Sequence, residues 1–295
     1  MPPFIQLGRR AFLTAGSALL SACSPLSLLN AFTPADAGGR LAASGIAYGP
    51  DERHRLDIYL PEQAASPMPV MVFLYGGGWN SGERSDYGFV GRAFAAQGFV
   101  TVVPDYRLVP QIRFPAFVDD GALALRWVRD HIAPYGGDPT GIALSGHSAG
   151  AYNAMMLSLD GRFLSRAGLP PRFIRSVAGL AGPYDFLPLD DSRSIAAFGE
   201  FPRLAETQPI SFASALAPRI FLATGDGDET VRPRNSVALA AKLRATGATV
   251  ELKSYPGLGH AGILLALNAG FRSRAPVLAD IVRFTRAQPR LAATP

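Results

Sequence analysis

"IALSGHSAG", residues 142–150, decides how the rest of this chain is read. It sets Ser148 two residues after Gly146 and two before Gly150. Gly-x-Ser-x-Gly alone is a weak signal, arising by chance in roughly a fifth of chains with this glycine and serine content. Its surroundings carry the argument. Ile142-Ala143-Leu144 is a short apolar run that suits the end of a buried strand, and "AGAYNAMML" (149–157) is rich in helix formers with apolar residues at helical spacing. A sharp strand-to-helix turn strains its central residue and brings the flanking positions so close that only residues without bulk fit. Gly146 and Gly150 meet that demand. Such a turn exposes the Ser148 hydroxyl and points a helix N-terminus at its surroundings, which favours developing negative charge.

Outward from this stretch, strands and helices alternate. "HRLDIYLP" (54–61) alternates and ends in proline, as an early antiparallel strand does. "PVMVFLY" (69–75) is a continuous apolar run ending in glycines, the pattern of a buried parallel strand. The expected order continues with a helix over 89–98, a strand over 99–106 and a long amphipathic helix over 117–137. Asp119 and Asp120 lie near the start of that helix, where acids suit the dipole. Later strands fall at 176–180, 219–224 and 249–255, with helices near 232–246 and 275–288. This pattern predicts an α/β domain with a mostly parallel sheet covered on both faces, and ligands at the carboxyl ends of its strands. The chain has 295 residues, 48% of them hydrophobic, enough for one such domain over residues 45–290.

A serine hydroxyl needs a base, and the base needs an orienter. The chain has four histidines. His54 opens an early strand and reads as a surface residue. His131 lies on the helix before the motif and reads as packing or capping. His147 adjoins Ser148, where neighbouring side chains point apart. That leaves His260, in the glycine-flanked loop of "SYPGLGHAG", as the base. "IFLATGDGDETVRP" (220–233) offers Asp226, Asp228 and Glu229 as the acid. Asp228 is the choice, since Asp226 suits forming the turn through its own side chain. "YGGGW" (75–79) offers backbone N–H groups of Gly77 and Gly78 which, with Ala149 N–H, can meet an oxyanion; the alternative is a flexible turn. Trp79 has two readings, lining an acyl pocket or packing in the core.

The N-terminus is a separate matter. Arg9-Arg10 precede a small-residue and apolar run from Ala11 to Ala22, which fits a signal peptide and is short for a membrane span. The run resembles a twin-arginine export signal, and Leu20-Ser21-Ala22-Cys23 resembles a bacterial lipobox. Cys23 is the sole cysteine, so it forms no disulfide within the chain; carrying lipid accounts for it, and an ordinary export signal with an incidental cysteine is the other reading. Residues 1–22 are thus expected to be removed. Acyl chains on Cys23 would hold the protein on the periplasmic side of a bacterial membrane, the outer one favoured by Ser24. Residues 23–44 read as a tether, with Leu26–Phe32 apolar enough to form a lid. The net charge of +5 falls to +3 without residues 1–22, and its arginines are scattered, which argues against a nucleic-acid partner.

Taken together, Gly76-Gly77-Gly78-Trp79, Asp105-Tyr106-Arg107-Leu108, Phe114-Pro115-Ala116, Gly146-His147-Ser148-Ala149-Gly150, Gly225 to Val231 and Gly259-His260 make the chain resemble an α/β-hydrolase. The resemblance, over roughly 45–290, is to carboxylesterases related to hormone-sensitive lipase and to bacterial arylformamidase-like (BD-FAE-like) proteins. It implies a nucleophile at Ser148, an acid at Asp228, a base at His260 and an oxyanion hole at Gly77, Gly78 and Ala149. It also implies that Asp105, Tyr106 and Arg107 brace loops. The family usually has histidine before the glycines, and here Tyr75 stands there. The expected function is a serine esterase acting on small to medium acyl groups, because about 80 residues between Ser148 and Asp228 leave room for one short excursion (184–215) and no large cap. No cofactor or metal is implied, and no metal-ligand spacing of His or Cys appears. The rivals are a formamidase acting on an aryl formamide, a more distant peptidase, and a silent hydrolase-fold lipoprotein serving as a binding module.

Overall fold

The computed structural model describes residues 33–63 and 67–287. The export signal (1–22), Cys23 and the apolar stretch 26–32 lie outside the described residues. Eight strands form one sheet in the order β1-β2-β4-β3-β5-β6-β7-β8. They are β1 (Gly39–Ala47), β2 (Arg55–Pro61), β3 (Met68–Leu74), β4 (Val100–Pro104), β5 (Gly137–His147), β6 (Ile174–Leu180), β7 (Arg219–Gly225) and β8 (Val250–Tyr255). The β1–β2 and β2–β4 pairs are antiparallel, and the remaining pairs are parallel. The parallel strands β3, β4 and β6 are buried along nearly their whole length because helices cover both faces.

Helices α1 (Gly88–Ala96) and α8 (Val277–Arg286) touch each other on one face. On the other, α2 (Ala116–His131) packs on α3 (Ala149–Leu159), the short α4 (Gly161–Arg166) touches both, and α6 (Arg234–Ala245) covers β7 and β8. Among the described residues no helix is long and apolar enough to cross a membrane.

The order of connections fixes where a ligand fits. From β3 the chain moves through α1 to β4, on one side of β3. From β5 it moves through α3 to β6, on the other side. The two loops diverge and leave a crevice outside the carboxyl ends of β3 and β5. The glycine stretch 76–78 and the Ser148 turn sit there.

Several expectations are corrected. Residues 39–44 are not tether: they begin β1, which pairs with β2 through two irregularities, and "GRLAASGIA" lacks the alternation that would have marked it. The long helix stops at His131, not 137, because a 3-10 turn follows at 133–135 with Pro134 in it and Gly136 at φ +79°. The excursion 184–215 carries the short helix α5 (Ser192–Phe198). Finally, His54 is not at the surface. It is 3% exposed, with its ring tilted against that of Tyr48 and its Nε2 3.1 Å from Asp120 Oδ1. Asp120 turns inward and takes four bonds from Arg107, whereas Asp119 pairs outward with Arg166.

Candidate active site

Ser148 sits between β5 and α3 at φ 55°, a left-handed conformation that costs a non-glycine residue about 1–3 kcal/mol. Its amide donates to Leu180 O at 2.9 Å, tying the turn to the end of β6. The neighbouring glycines are required by contact. A Cβ at Gly146 would lie 2.4 Å from Gly150 O, and one at Gly150 would lie 2.1 Å from Leu74 O and 2.3 Å from Tyr75 O. The turn therefore closes only where both positions lack side chains.

His260 opens the short helix α7 (His260–Leu265), so it is the first residue of a helix and not a loop residue. Its Nε2 lies 2.9 Å from Ser148 Oγ, and its Nδ1 lies 2.9 Å from Asp228 Oδ2. The three side chains come from the ends of β5, β7 and β8. Asp228 is buried, and its second oxygen accepts from Thr230 N at 3.0 Å and Val231 N at 2.8 Å. Those bonds fix the carboxylate and satisfy it away from water. An acceptor at Nδ1 sets the tautomer: the proton is on Nδ1, and the lone pair of Nε2 faces the serine hydroxyl. Asp226 does not close its own turn through its side chain, as expected; its carboxylate reaches across to a distant loop and accepts from Gly257 N at 2.7 Å. That bond joins the acid's loop to the base's loop, as does Gly227 N to Leu258 O at 3.1 Å.

Gly77 and Gly78 lie in the loop after β3, at φ +125° and +58°. Gly77 O accepts from Asn80 N and Ser81 N, which curls the loop. Among the described residues, no protein acceptor takes the amides of Gly77, Gly78 or Ala149. All three residues line one cleft with Ser148 and His260. Tyr75 braces this loop from beneath. Its hydroxyl donates to Asp105 Oδ1 at 2.9 Å and accepts from Arg53 Nη2 at 2.9 Å, and the same Arg53 donates to Gly82 O at 2.7 Å. Its ring lies between Tyr87 and Tyr106, and Tyr106 Oη donates to Tyr75 O at 2.8 Å. Burial, and then the neighbouring Asp105 carboxylate, push the Tyr75 pKa far up, so it stays a neutral donor.

Trp79 also holds a left-handed backbone, at φ 62°. It is 4% exposed, its ring packs on Phe117, Tyr152, Phe186 and Phe198, and its Nε1 donates to Asn153 Oδ1 at 3.2 Å. Packing is its main role, with one edge on the cleft. The cleft holds about 760 Å³. It is lined by the excursion, through Phe186, Asp191 and Arg193, and by Val231, Arg232, Ala261 and Leu264. The sequence did not reveal Arg193, whose stem lies over Gly78 so closely that a Cβ there would meet its Cδ at 2.7 Å. Neither did it reveal Arg53. Both contacts join segments more than 20 residues apart, and no local pattern marks them.

The BD-FAE family model matches residues 56–243. A probable isoprenylcysteine alpha-carbonyl methylesterase of Oryza sativa subsp. japonica is 32% identical, over 75% of this chain and 57% of that protein. The chain thus spans less than two thirds of that relative. Carboxylesterase NlhH of Mycobacterium tuberculosis is 32% identical, over 71% of both chains. Among solved structures, esterase B from Lactobacillus rhamnosis superposes with a TM-score of 0.78 at 20% identity, over 91% of this chain and 92% of that one. That last likeness is one of fold: the α/β-hydrolase arrangement.

Proposed function

The chain belongs to the BD-FAE family of α/β-hydrolases, and from that premise we propose that it is a serine esterase cleaving carboxylic esters of small to medium acyl groups. The observation that carries the proposal is the row Ser148 Oγ, His260 Nε2, His260 Nδ1, Asp228 Oδ2, with 2.9 Å at both hydrogen bonds, on the wall of an open cleft. Ser148 Oγ attacks the ester carbonyl carbon as its proton passes to His260 Nε2. The carbonyl oxygen gains negative charge, which the amides of Gly77, Gly78 and Ala149 meet; one such donor is worth about 3–4 kcal/mol in the transition state. Asp228 stabilises the imidazolium and does not itself take the proton. His260 gives that proton to the departing alcohol, the carbon–oxygen bond breaks, and Ser148 is left acylated. Water then repeats the sequence with His260 as base and frees the acid.

The names of the relatives support an ester over a formamide. The modest volume and the short excursion support small to medium acyl groups over long chains. The test is p-nitrophenyl acetate turnover with labelling by a fluorophosphonate. The wild-type protein should turn over the ester and take the label, and Ser148→Ala should do neither. A folded wild-type protein that takes no label would make this a silent fold. Faster cleavage of N-formylkynurenine than of any ester in a panel would make it a formamidase. For location, the proposal is export and lipid attachment at Cys23, supported by the sequence of residues 9–23. Cys23→Ser should move the protein from the membrane fraction to the soluble fraction.

A further inference from the structure

Resting on the esterase reading, we propose that His147 is a positioning residue: its imidazole Nε2–H pins the main-chain carbonyl of His260 and so holds the base against the nucleophile. Adjacency to Ser148 excludes His147 as the base, yet its ring is not idle. It is 5% exposed, and its centroid lies 4.7 Å from that of His260 with the planes tilted by 42°. Its Nε2 is 3.0 Å from His260 O. A carbonyl only accepts, so the His147 proton must sit on Nε2. A Cβ at Gly76 would lie 3.1 Å from His147 Nδ1, so the ring also abuts the start of the glycine loop.

This bond supplies a tie that the other contacts lack. Besides the His260–Asp228 bond itself, the amides of Gly257 and Gly227 tie the loop bearing His260 to the loop bearing Asp228. Those fix the base relative to the acid. Apart from the Ser148–His260 contact itself, the bond from His147 fixes it relative to the serine. It acts at the first residue of a six-residue helix whose N-cap, Gly259, has no side chain to cap it. The ring also suits the charge that develops. Burial, and then the nearness of His260, hold the His147 pKa down to about 3, so it stays neutral while His260 carries the extra proton during the reaction. A second cation at that spot would oppose proton transfer.

Three substitutions test the inference. His147→Phe keeps a ring and loses the N–H. His147→Gln keeps an N–H at similar reach, and His147→Asn keeps one too short to reach the carbonyl. With p-nitrophenyl acetate, Phe and Asn should lower kcat about tenfold, the worth of one positioned hydrogen bond, with KM within about twofold. Gln should recover most of the loss. Rates of fluorophosphonate labelling should follow the same order. If Phe does not fold, as read by circular dichroism, the Asn–Gln contrast decides alone. Wild-type kcat in His147→Asn overturns the inference, as does equal loss in Asn and Gln. Wild-type protein that neither turns over ester nor takes label overturns the esterase reading itself. Normal wild-type labelling with no contrast among the variants overturns only the role of His147.

Discussion

Two histidine–aspartate pairs stand in this chain, and only one faces a nucleophile. At the carboxyl ends of the strands, His260 binds Asp228 through Nδ1 and presents Nε2 to Ser148, with 19% of the side chain exposed in the cleft. Beneath β2 and α2, His54 takes an N–H from Asp51 on Nδ1 at 3.2 Å and turns Nε2 toward Asp120, at 3.1 Å but outside hydrogen-bond geometry. Arg107 already engages Asp120 fully, and the His54 side chain is 4% exposed. The same two residue types thus make a base in one place and a strut in the other. What differs is which ring nitrogen is left over, and whether a hydroxyl and a cleft lie beyond it.

Substitution should separate the two pairs by what each one loses. His260→Ala should cost about 10⁶-fold in kcat, as loss of a base in a serine triad does, with an unchanged urea midpoint. Retention of even a hundredth of the turnover would erase the contrast. Asp228→Asn should cost about 10⁴-fold, because an amide no longer holds the imidazole in its working tautomer. Asp120→Ala belongs to the other kind. It strands Arg107 and His54 and should lower stability by about 2–3 kcal/mol in urea unfolding, below the cost for a wholly buried pair because Arg107 is 31% exposed. The folded fraction should keep its esterase rate, and a large fall in kcat there would mean that the strut reaches the site.

The smallest effect comes from the other buried histidine, His147. The pKa of His147 lies near 3 in the fold, below the 6.5 of a free imidazole. Between those values the unfolded chain takes up a proton that the folded chain refuses. Its contribution is therefore complete above about pH 6.5 and is lost as the pH falls. Wild-type stability should drop by about 2 kcal/mol more than that of His147→Gln between pH 7 and pH 5, read from urea midpoints. Equal drops would remove His147 from the acid sensitivity.

The contrast also marks what could be read from the chain alone. The parallel strands were legible because burial on both faces makes them continuous apolar runs, as in "PVMVFLY". The serine turn was legible because its close contacts admit only glycine at 146 and 150. Asp228 and His260 followed from chain order and from elimination, and the structure brings both to Ser148. His54 was misread because its burial depends on Asp120, 66 residues on, and "HRLDIYLP" gives no sign of that. Asp120 did carry a signal. It lies three residues after Phe117 and four before Ala124, on the inward stripe of α2, while Asp119 lies off it. Strand β1 escaped because its pairing with β2 makes it, and not its own composition. The Tyr75–Arg53–Gly82 brace joins three segments whose nearness exists only in the fold.

Among the described residues, three non-glycine residues hold left-handed backbones, Trp79, Ser148 and Ala181, and all three follow the ends of β3, β5 and β6. At about 1–3 kcal/mol each, that stored cost is gathered on one rim of the sheet. The antiparallel margin carries no such burden: β1 is irregularly paired there, and Leu41 stands 41% exposed. Heat tolerance is therefore best sought at that margin, where tighter strand pairing can raise the melting temperature without slackening the rim that does the chemistry.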